Sequence, residues 1–198
     1  MRVTQTPRLT SCGTDIGSAS QYEKGTVTSG YGHLCQFEIE KLMVHSNSVI
    51  KMWRDYHVAS GIPIPEIVAD SFSDNKMEAT ELSALVNQGI KRATVPALWA
   101  FEKTGTQLPE VGGIFLVVDG NGEAVCIVKT TRVSIIPFNE ITESQAYREG
   151  EGDRTLDYWR RVHAEYYKRQ FETLDLNFEE SMPIVFEEFE KIFPETIK

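Results

Sequence analysis

Two side chains three residues apart, Lys91 and Thr94 in Gly89-Ile90-Lys91-Arg92-Ala93-Thr94, combine a candidate base with a candidate nucleophile. A neutral Lys amine can take the Thr hydroxyl proton and free that oxygen to attack an acyl carbon. Neutrality near pH 7 needs burial or a neighbouring cation such as Arg92, since both disfavour the ammonium form. The two side chains share a side only at a bend or on a helical turn; along a strand this spacing sends them to opposite faces. Gly89 is well placed to end the preceding helix and supply that bend. Taken alone, the string favours a plainer reading, a solvated Lys after a helix and a Thr opening a strand.

A second group is Glu149-Gly150-Glu151-Gly152-Asp153, three acids separated by glycines at a junction between two helices. Acids at a helix N-terminus are favoured by its partial positive charge, and capping accounts for Asp153 and in part for Glu151. It accounts less well for Glu149, which is therefore the preferred functional carboxylate. Hard cations take oxygen ligands, but no EF-hand spacing supports a metal here, and neither a metal nor another cofactor is expected. His163 reads first as a hydrogen-bonded core histidine. Glu187 lies among Val185, Phe189 and Phe193, so if buried it must be protonated, paired or hydrogen-bonded; Lys91 is a candidate partner, and that pairing would count against Lys91 as a base. His33, His45 and His57 show no ligand spacing.

The elements that must position these groups follow from periodicity. Residues 37–56 carry Ile39, Leu42, Ser46, Val49, Trp53 and Tyr56 at helical spacing, with a restart at Ser46 allowed and Gly61-Ile62-Pro63 as the stop. Residues 67–72 predict a short strand, Ser73-Asp74-Asn75 a turn and cap, and residues 77–88 a helix. Val95 to Trp99 leads into a polar stretch. Asp119-Gly120-Asn121-Gly122 joins the β-branched runs 114–118 and 124–133 as a hairpin, and 134–137 continues as strand or loop. Thr142 caps a short helix through Arg148. A long helix is expected over 153–171, capped by Asp153, with Leu156, Trp159, His163, Tyr166 and Gln170 on one face and Arg154, Arg160, Arg161, Lys168 and Arg169 mostly facing solvent. Residues 184–193 predict a last strand with Val185, Glu187, Phe189 and Phe193 on one side, so that Glu187 points inward if that side is the core. This order predicts an α+β protein whose sheet curls into a small barrel.

At 198 residues one domain is expected, over 37–198, behind a flexible extension, 1–36, rich in Thr, Ser and Gly. Met43 and Met52 offer internal starts. A charge of −9 and a pI of 5.0 disfavour tight non-specific binding to a polyanion. No apolar run approaches a membrane span, no apolar segment follows Arg2 and Arg8 as in a secretory signal, and the cytoplasm is the expected compartment. Cys12, Cys35 and Cys126 are odd in number and widely spaced, so they read as thiols, with Cys126 in the core.

With the Gly-x-Lys-x-x-Thr segment, Leu108-Pro109 before Gly112, the 149–153 run, Trp159-Arg160, His163 and Val185-Phe186-Glu187-Glu188-Phe189 in place, the chain from about Trp53 to Phe193 resembles ASCH domain proteins of the PUA-like superfamily. The 149–153 run matches a larger subgroup of them. The resemblance implies a small antiparallel or mixed barrel flanked by helices, with a cleft for RNA or modified nucleosides. Some relatives are amidohydrolases that deacetylate N(4)-acetylcytidine. Carried over by motif, Lys91 is the base, Thr94 the nucleophile that forms an acyl-enzyme, and Glu149 the group that orients or stabilises the intermediate. Arg92, Glu151, His163 and Glu187 stand as substrate-binding candidates. The alternatives are a single-strand-directed ribonuclease, with Lys91 and a hydroxyl activating the ribose 2′-OH, and a non-catalytic RNA- or nucleotide-binding module in which Trp53, Trp99 or Tyr147 stacks on a base. The partner is a small nucleoside-like ligand or single-stranded RNA, with no membrane. The longer N-terminal part and the extended 149–163 segment depart from the small amidohydrolases.

Overall fold

The computed structural model describes residues 45–62 and 68–194. The expected extension, Cys12, Cys35, His33 and the first part of the 37–56 helix lie outside them. Helix α1, Asn47–Ser60, starts at Ser46, whose side chain accepts from the Val49 N–H, and ends at left-handed Gly61. Its i, i+4, i+7 stripe of Val49, Trp53 and Tyr56 packs on Leu116 and Ile127 of the sheet. No described helix is long and apolar enough to cross a membrane.

Strand β1 is Ala69–Asp70, shorter than the 67–72 run suggests. Asn75 then caps α2, Lys76–Asn87, by accepting from the Met77 and Glu78 N–H groups. Strand β2, Ala93–Thr94, follows. Helix α3, Leu98–Thr104, falls where the sequence suggested only a polar stretch. With neither an N-terminal side-chain cap nor a fully buried residue, its start lacks the signals that mark a helix in sequence, and only left-handed Gly105 marks its end.

Strands β3, Ile114–Val118, and β4, Ala124–Pro137, form the expected hairpin, and β4 absorbs the 134–137 segment. A 3-10 turn, Phe138–Glu140, leads to α4, Glu143–Glu149, which begins in a capping box between Thr142 and Gln145. Helix α5 is Leu156–Leu174, and β5, Pro183–Phe193, closes the order.

The strands form one mixed sheet in the order β1-β3-β4-β5-β2. β1 runs parallel to β3 and the other neighbours are antiparallel. The α+β class stands, but among the described residues the sheet does not close into the expected barrel. Its two edge strands are each two residues long and pair only inward, which also limits the exposed edge.

Two details of α5 differ from the periodicity. Its cap is Thr155, which accepts from the Tyr158 N–H, because Arg154 takes a left-handed φ of 63° and breaks the helix ahead of it. Asp153 instead accepts from the Thr155 N–H and hydroxyl, at 2.9 and 2.7 Å. The buried row is Trp159, His163, Tyr167 and Phe171, a strict i+4 ridge, rather than one ending in Tyr166 and Gln170. Tyr167 is drawn inward because its hydroxyl donates to the Val95 carbonyl while its ring packs on Phe138 and Phe171.

The segment carrying Lys91 is held from three sides. The N–H groups of Ile90 and Lys91 both donate to Leu85 at the end of α2, Arg92 N–H donates to Arg148 on α4, and Phe189 N–H on β5 donates to Arg92. Gly89, at φ 71°, supplies the bend expected there. Gly150 ends α4 at φ 80°, and a Cβ at that position would lie 2.5 Å from the Ile90 carbonyl oxygen. Gly150→Ala is therefore expected to cost at least about 1–2 kcal/mol from the left-handed backbone alone, with more from that contact. A lowered thermal midpoint, followed by circular dichroism, is the check.

Candidate active site

Lys91 is 1% exposed, and its ammonium lies between two carboxylates, 2.6 Å from Glu151 Oε1 and 3.3 Å from Glu149 Oε1. Glu149 is equally buried and has both oxygens engaged. His163 Nε2 approaches Oε1 at 3.1 Å, and Trp159 Nε1 donates to Oε2. His163 Nδ1 lies 2.9 Å from the Trp159 carbonyl oxygen, so both ring nitrogens face acceptors. Only the imidazolium satisfies both with an N–H. The ring is held parallel to Trp159 at 4.5 Å, and Trp159 stacks in turn on Phe138 at 5.0 Å.

Electrostatics follow from this packing. Burial alone raises Glu149, but the charges of His163 and Lys91, with bonds from His163 and Trp159, hold its carboxyl down to about 2. Burial lowers His163, and Glu149 more than reverses this, so His163 sits above its usual value. Lys91 is likewise pushed down by burial and up by Glu151 and Glu149, for a net rise. Two carboxylates, an ammonium and an imidazolium sum to zero, which is the condition under which buried charges are tolerated. The expected Lys91–Glu187 pair does not form. Nor is the neutral amine expected of Lys91 the state this surrounding favours, because two anions touch it.

Lys91, Glu149, Glu151 and His163 lie on a cavity of about 640 Å³. Lys91, Thr94, Glu149, Glu151, His163 and Glu187 all line it. Lys91 and Thr94 reach the same space because Lys91 lies ahead of β2, on the bend, while Thr94 is on the strand. Arg92 is exposed and does not line it, since its backbone is committed to α4 and β5. Trp53 packs beneath the sheet, Trp99 on Phe171, and Tyr147 under Arg154, so none of the three expected stacking residues faces the cavity. Its aromatic walls are Phe72, Phe101, Phe115 and Tyr166. Arg169, read as solvated, stands at its edge. Thr130 was not foreseen: its hydroxyl donates to Glu187 Oε1 at 2.5 Å. Glu149, Glu151 and His163 offer ligand atoms within 4.8 Å of one another, but the Lys91 ammonium is already seated against both carboxylates. Cys126 is buried, and burial pushes its thiol up to about 12, as suits a core residue.

A family model, the ASCH domain, matches residues 68–193. The chain belongs to the ASCH domain family. Two solved structures are similar to it. The ASCH domain from Lactobacillus crispatus JV V101 is 26% identical, with a TM-score of 0.69 over 76% of this chain and 98% of that one. Protein EF3133 from Enterococcus faecalis V583 is 30% identical, with a TM-score of 0.69 over 73% of this chain and 88% of that one. No protein of curated function matches the sequence. The ASCH match begins after α1, so that helix and its packing on the sheet lie outside the matched segment, whereas every residue of the ion cluster lies inside it.

Two predictions follow from the cluster of this ASCH domain. Lys91→Met leaves two carboxylates facing each other in a buried site and should lower the unfolding free energy by about 3–5 kcal/mol, read by urea titration at pH 7. Glu149 binds fewer protons folded than unfolded between about 2 and its ordinary 4.5, so its contribution is complete above pH 4.5 and is lost as pH falls toward 2. His163 works the other way: its contribution is complete below its ordinary 6.5 and is lost as pH rises through its raised value. Glu149→Gln should therefore flatten the stability profile between pH 2 and 4.5, and an unchanged acid limb in that variant would count against the cluster.

Proposed function

We propose that this protein is an amidohydrolase acting on N-acylated nucleosides such as N(4)-acetylcytidine. The observation that carries the reading is Thr94 lining a nucleoside-sized cavity beside a buried Lys91–Glu149–Glu151–His163 cluster. Among the described residues the Thr94 hydroxyl makes no hydrogen bond, so it is available to a substrate. A volume of about 640 Å³ lies in the ordinary range for small-molecule sites. Four aromatic rings on its walls can flank a base.

The same walls weigh against RNA as the substrate. Seven lining side chains are carboxylates, Asp70, Glu78, Glu110, Glu149, Glu151, Glu165 and Glu187, against three cations, Lys91, Arg169 and the His163 imidazolium. A phosphate chain would meet net negative charge there, whereas an uncharged nucleoside would not. The wider reading, a protein connected with RNA or modified nucleosides, comes from the family resemblance, and the amidohydrolase reading is its narrower form.

In this reaction Thr94 Oγ1 attacks the acyl carbon, the C–N bond breaks, and water then hydrolyses the threonyl ester. Lys91 enters as an ammonium rather than as the base expected from sequence. Its charge can stabilise the oxyanion that develops on the acyl oxygen. Glu149 and Glu151 orient that ammonium, and His163 and Trp159 fix Glu149.

Release of acetate from N(4)-acetylcytidine and a panel of N-acylated nucleosides is the test. Wild-type turnover with loss of at least about 10²-fold in a folded Thr94→Ala variant is expected. Full activity in Thr94→Ala would sink the nucleophile assignment. No turnover on any member would move the reading to RNA, to be followed by cleavage and binding of single-stranded RNA, with a 2′-deoxy control, over a range of salt.

A further inference from the structure

Thr94 needs a proton acceptor, and in the cluster beside it Glu149 is fully engaged and Glu151 is tied to Lys91. Lys91 is an ammonium, both oxygens of Glu149 are occupied, and Oε1 of Glu151 holds Lys91 at 2.6 Å, which leaves only the Glu151 Oε2 without a partner among the described residues. The register between β2 and β5 supplies another group: Thr94 lies directly opposite Glu187. Directly opposed residues project from the same face with Cβ atoms roughly 4.5–5.5 Å apart, and both of these side chains line the cavity. We propose that Glu187 is the general base of the reaction, accepting the Thr94 hydroxyl proton and passing it to the departing amine. This assignment rests on the amidohydrolase reading above.

Glu187 is 7% exposed and sits beside Phe189, which contacts Phe72 and Phe115. Among the described residues no basic side chain lies within ion-pair distance of it. Its hydrogen-bond partner is Thr130, and a β-bulge makes that contact. The β4–β5 register shifts between Thr130 and Arg132, so Thr130 opposes Phe189 while Val133 opposes Glu187. Residues three apart on β4 thus share a face, which regular alternation would forbid. The contact holds the carboxyl in one place without neutralising it. Burial raises the pKa of Glu187 and the Thr130 bond opposes that rise, for a net increase, toward the range useful to a base working near neutral pH.

Proton and bond changes balance. Glu187 takes the Thr94 proton as the Oγ1–acyl carbon bond forms. When the C–N bond breaks, Glu187 returns that proton to the amine nitrogen. A water then attacks the ester, giving a proton to Glu187, and the acyl–Oγ1 bond breaks with that proton restored to Thr94. An amine and a carboxylic acid leave.

Other ionisable groups face the same cavity from every wall. Asp70 comes from β1, Glu78 from α2, Glu110 from the loop before β3, and His163, Glu165, Tyr166 and Arg169 from α5, beside the Lys91–Glu149–Glu151 cluster. Difference profiles against variants of Glu187 and its partner separate its titration from theirs.

The experiment is the pH dependence of kcat and KM for acetate release from N(4)-acetylcytidine by wild type, Glu187→Gln, Glu187→Asp and Thr130→Val. Glu187→Gln should lose about 10²–10⁴ in kcat, keep KM nearly unchanged, and lose the acid limb of the profile. Glu187→Asp should retain part of the rate and the limb. Thr130→Val removes a donor that favours the carboxylate, so its acid limb should move to higher pH; this decides the matter even if Glu187→Gln does not fold. Wild-type kcat in Glu187→Gln, or an unmoved limb in Thr130→Val, overturns the assignment and leaves the amidohydrolase reading standing. A wild type inactive on every N-acylated nucleoside overturns both.

Discussion

The burial of Lys91 is the constraint on which the rest of this structure depends. A lone ammonium with 1% exposure would be costly enough to drive off its proton or unfold the segment. Here two carboxylates and a histidine share the site, and each of the four groups needs the others. The arrangement explains why three parts of the chain converge: the bend after α2 brings Lys91, the end of α4 and the turn after it bring Glu149 and Glu151, and α5 brings His163 and Trp159. Main-chain bonds from Lys91 and Arg92 to α2 and α4, and from Phe189 to Arg92, fix that convergence before any side chain is considered.

That cluster also changes the chemistry open to the site. An amine held between two anions keeps its proton, so it is better suited to stabilising negative charge than to removing a proton. The division of labour is then between two groups of side chains that line one cavity. Lys91 and its partners form the first. Thr94, Glu187 and Thr130 form the second, where among the described residues the carboxyl has no cation within ion-pair distance. Two carboxylates that line the cavity, Glu149 and Glu187, are thereby pushed in opposite directions by their surroundings, one down by charge and one up by burial.

Much of this was legible in the chain. Asn75, Thr142, Gly89 and the Asp119–Gly122 turn announce their elements through local chemistry, which needs no distant partner. Glu149 stood out because capping did not account for it. The failures were also informative. Helix α3 has no N-terminal side-chain cap and no fully buried residue, so its start carried little signal, although Gly105 marks its end. Arg92 looked equivalent to its neighbours, yet the cavity does not include it. Tyr167 was passed over for Tyr166, since a difference of one position on a helix is settled by which hydroxyl finds a buried carbonyl, here that of Val95.

The sequence by itself determined the element order, the α+β class and the residue types available for chemistry, because caps, turns and apolar periods act within a few residues. Only the tertiary structure decided how those residues are paired. Lys91 meets Glu149 and Glu151, some 60 positions away in sequence, rather than Glu187, and Glu187 meets Thr130 through a bulge that no periodicity reveals. That the sheet stays open among the described residues was decided there too, with two-residue strands at both of its edges. Charge pairing and strand register arise between segments distant in the chain, and burial sets their strength, so they become fixed only when the segments pack together.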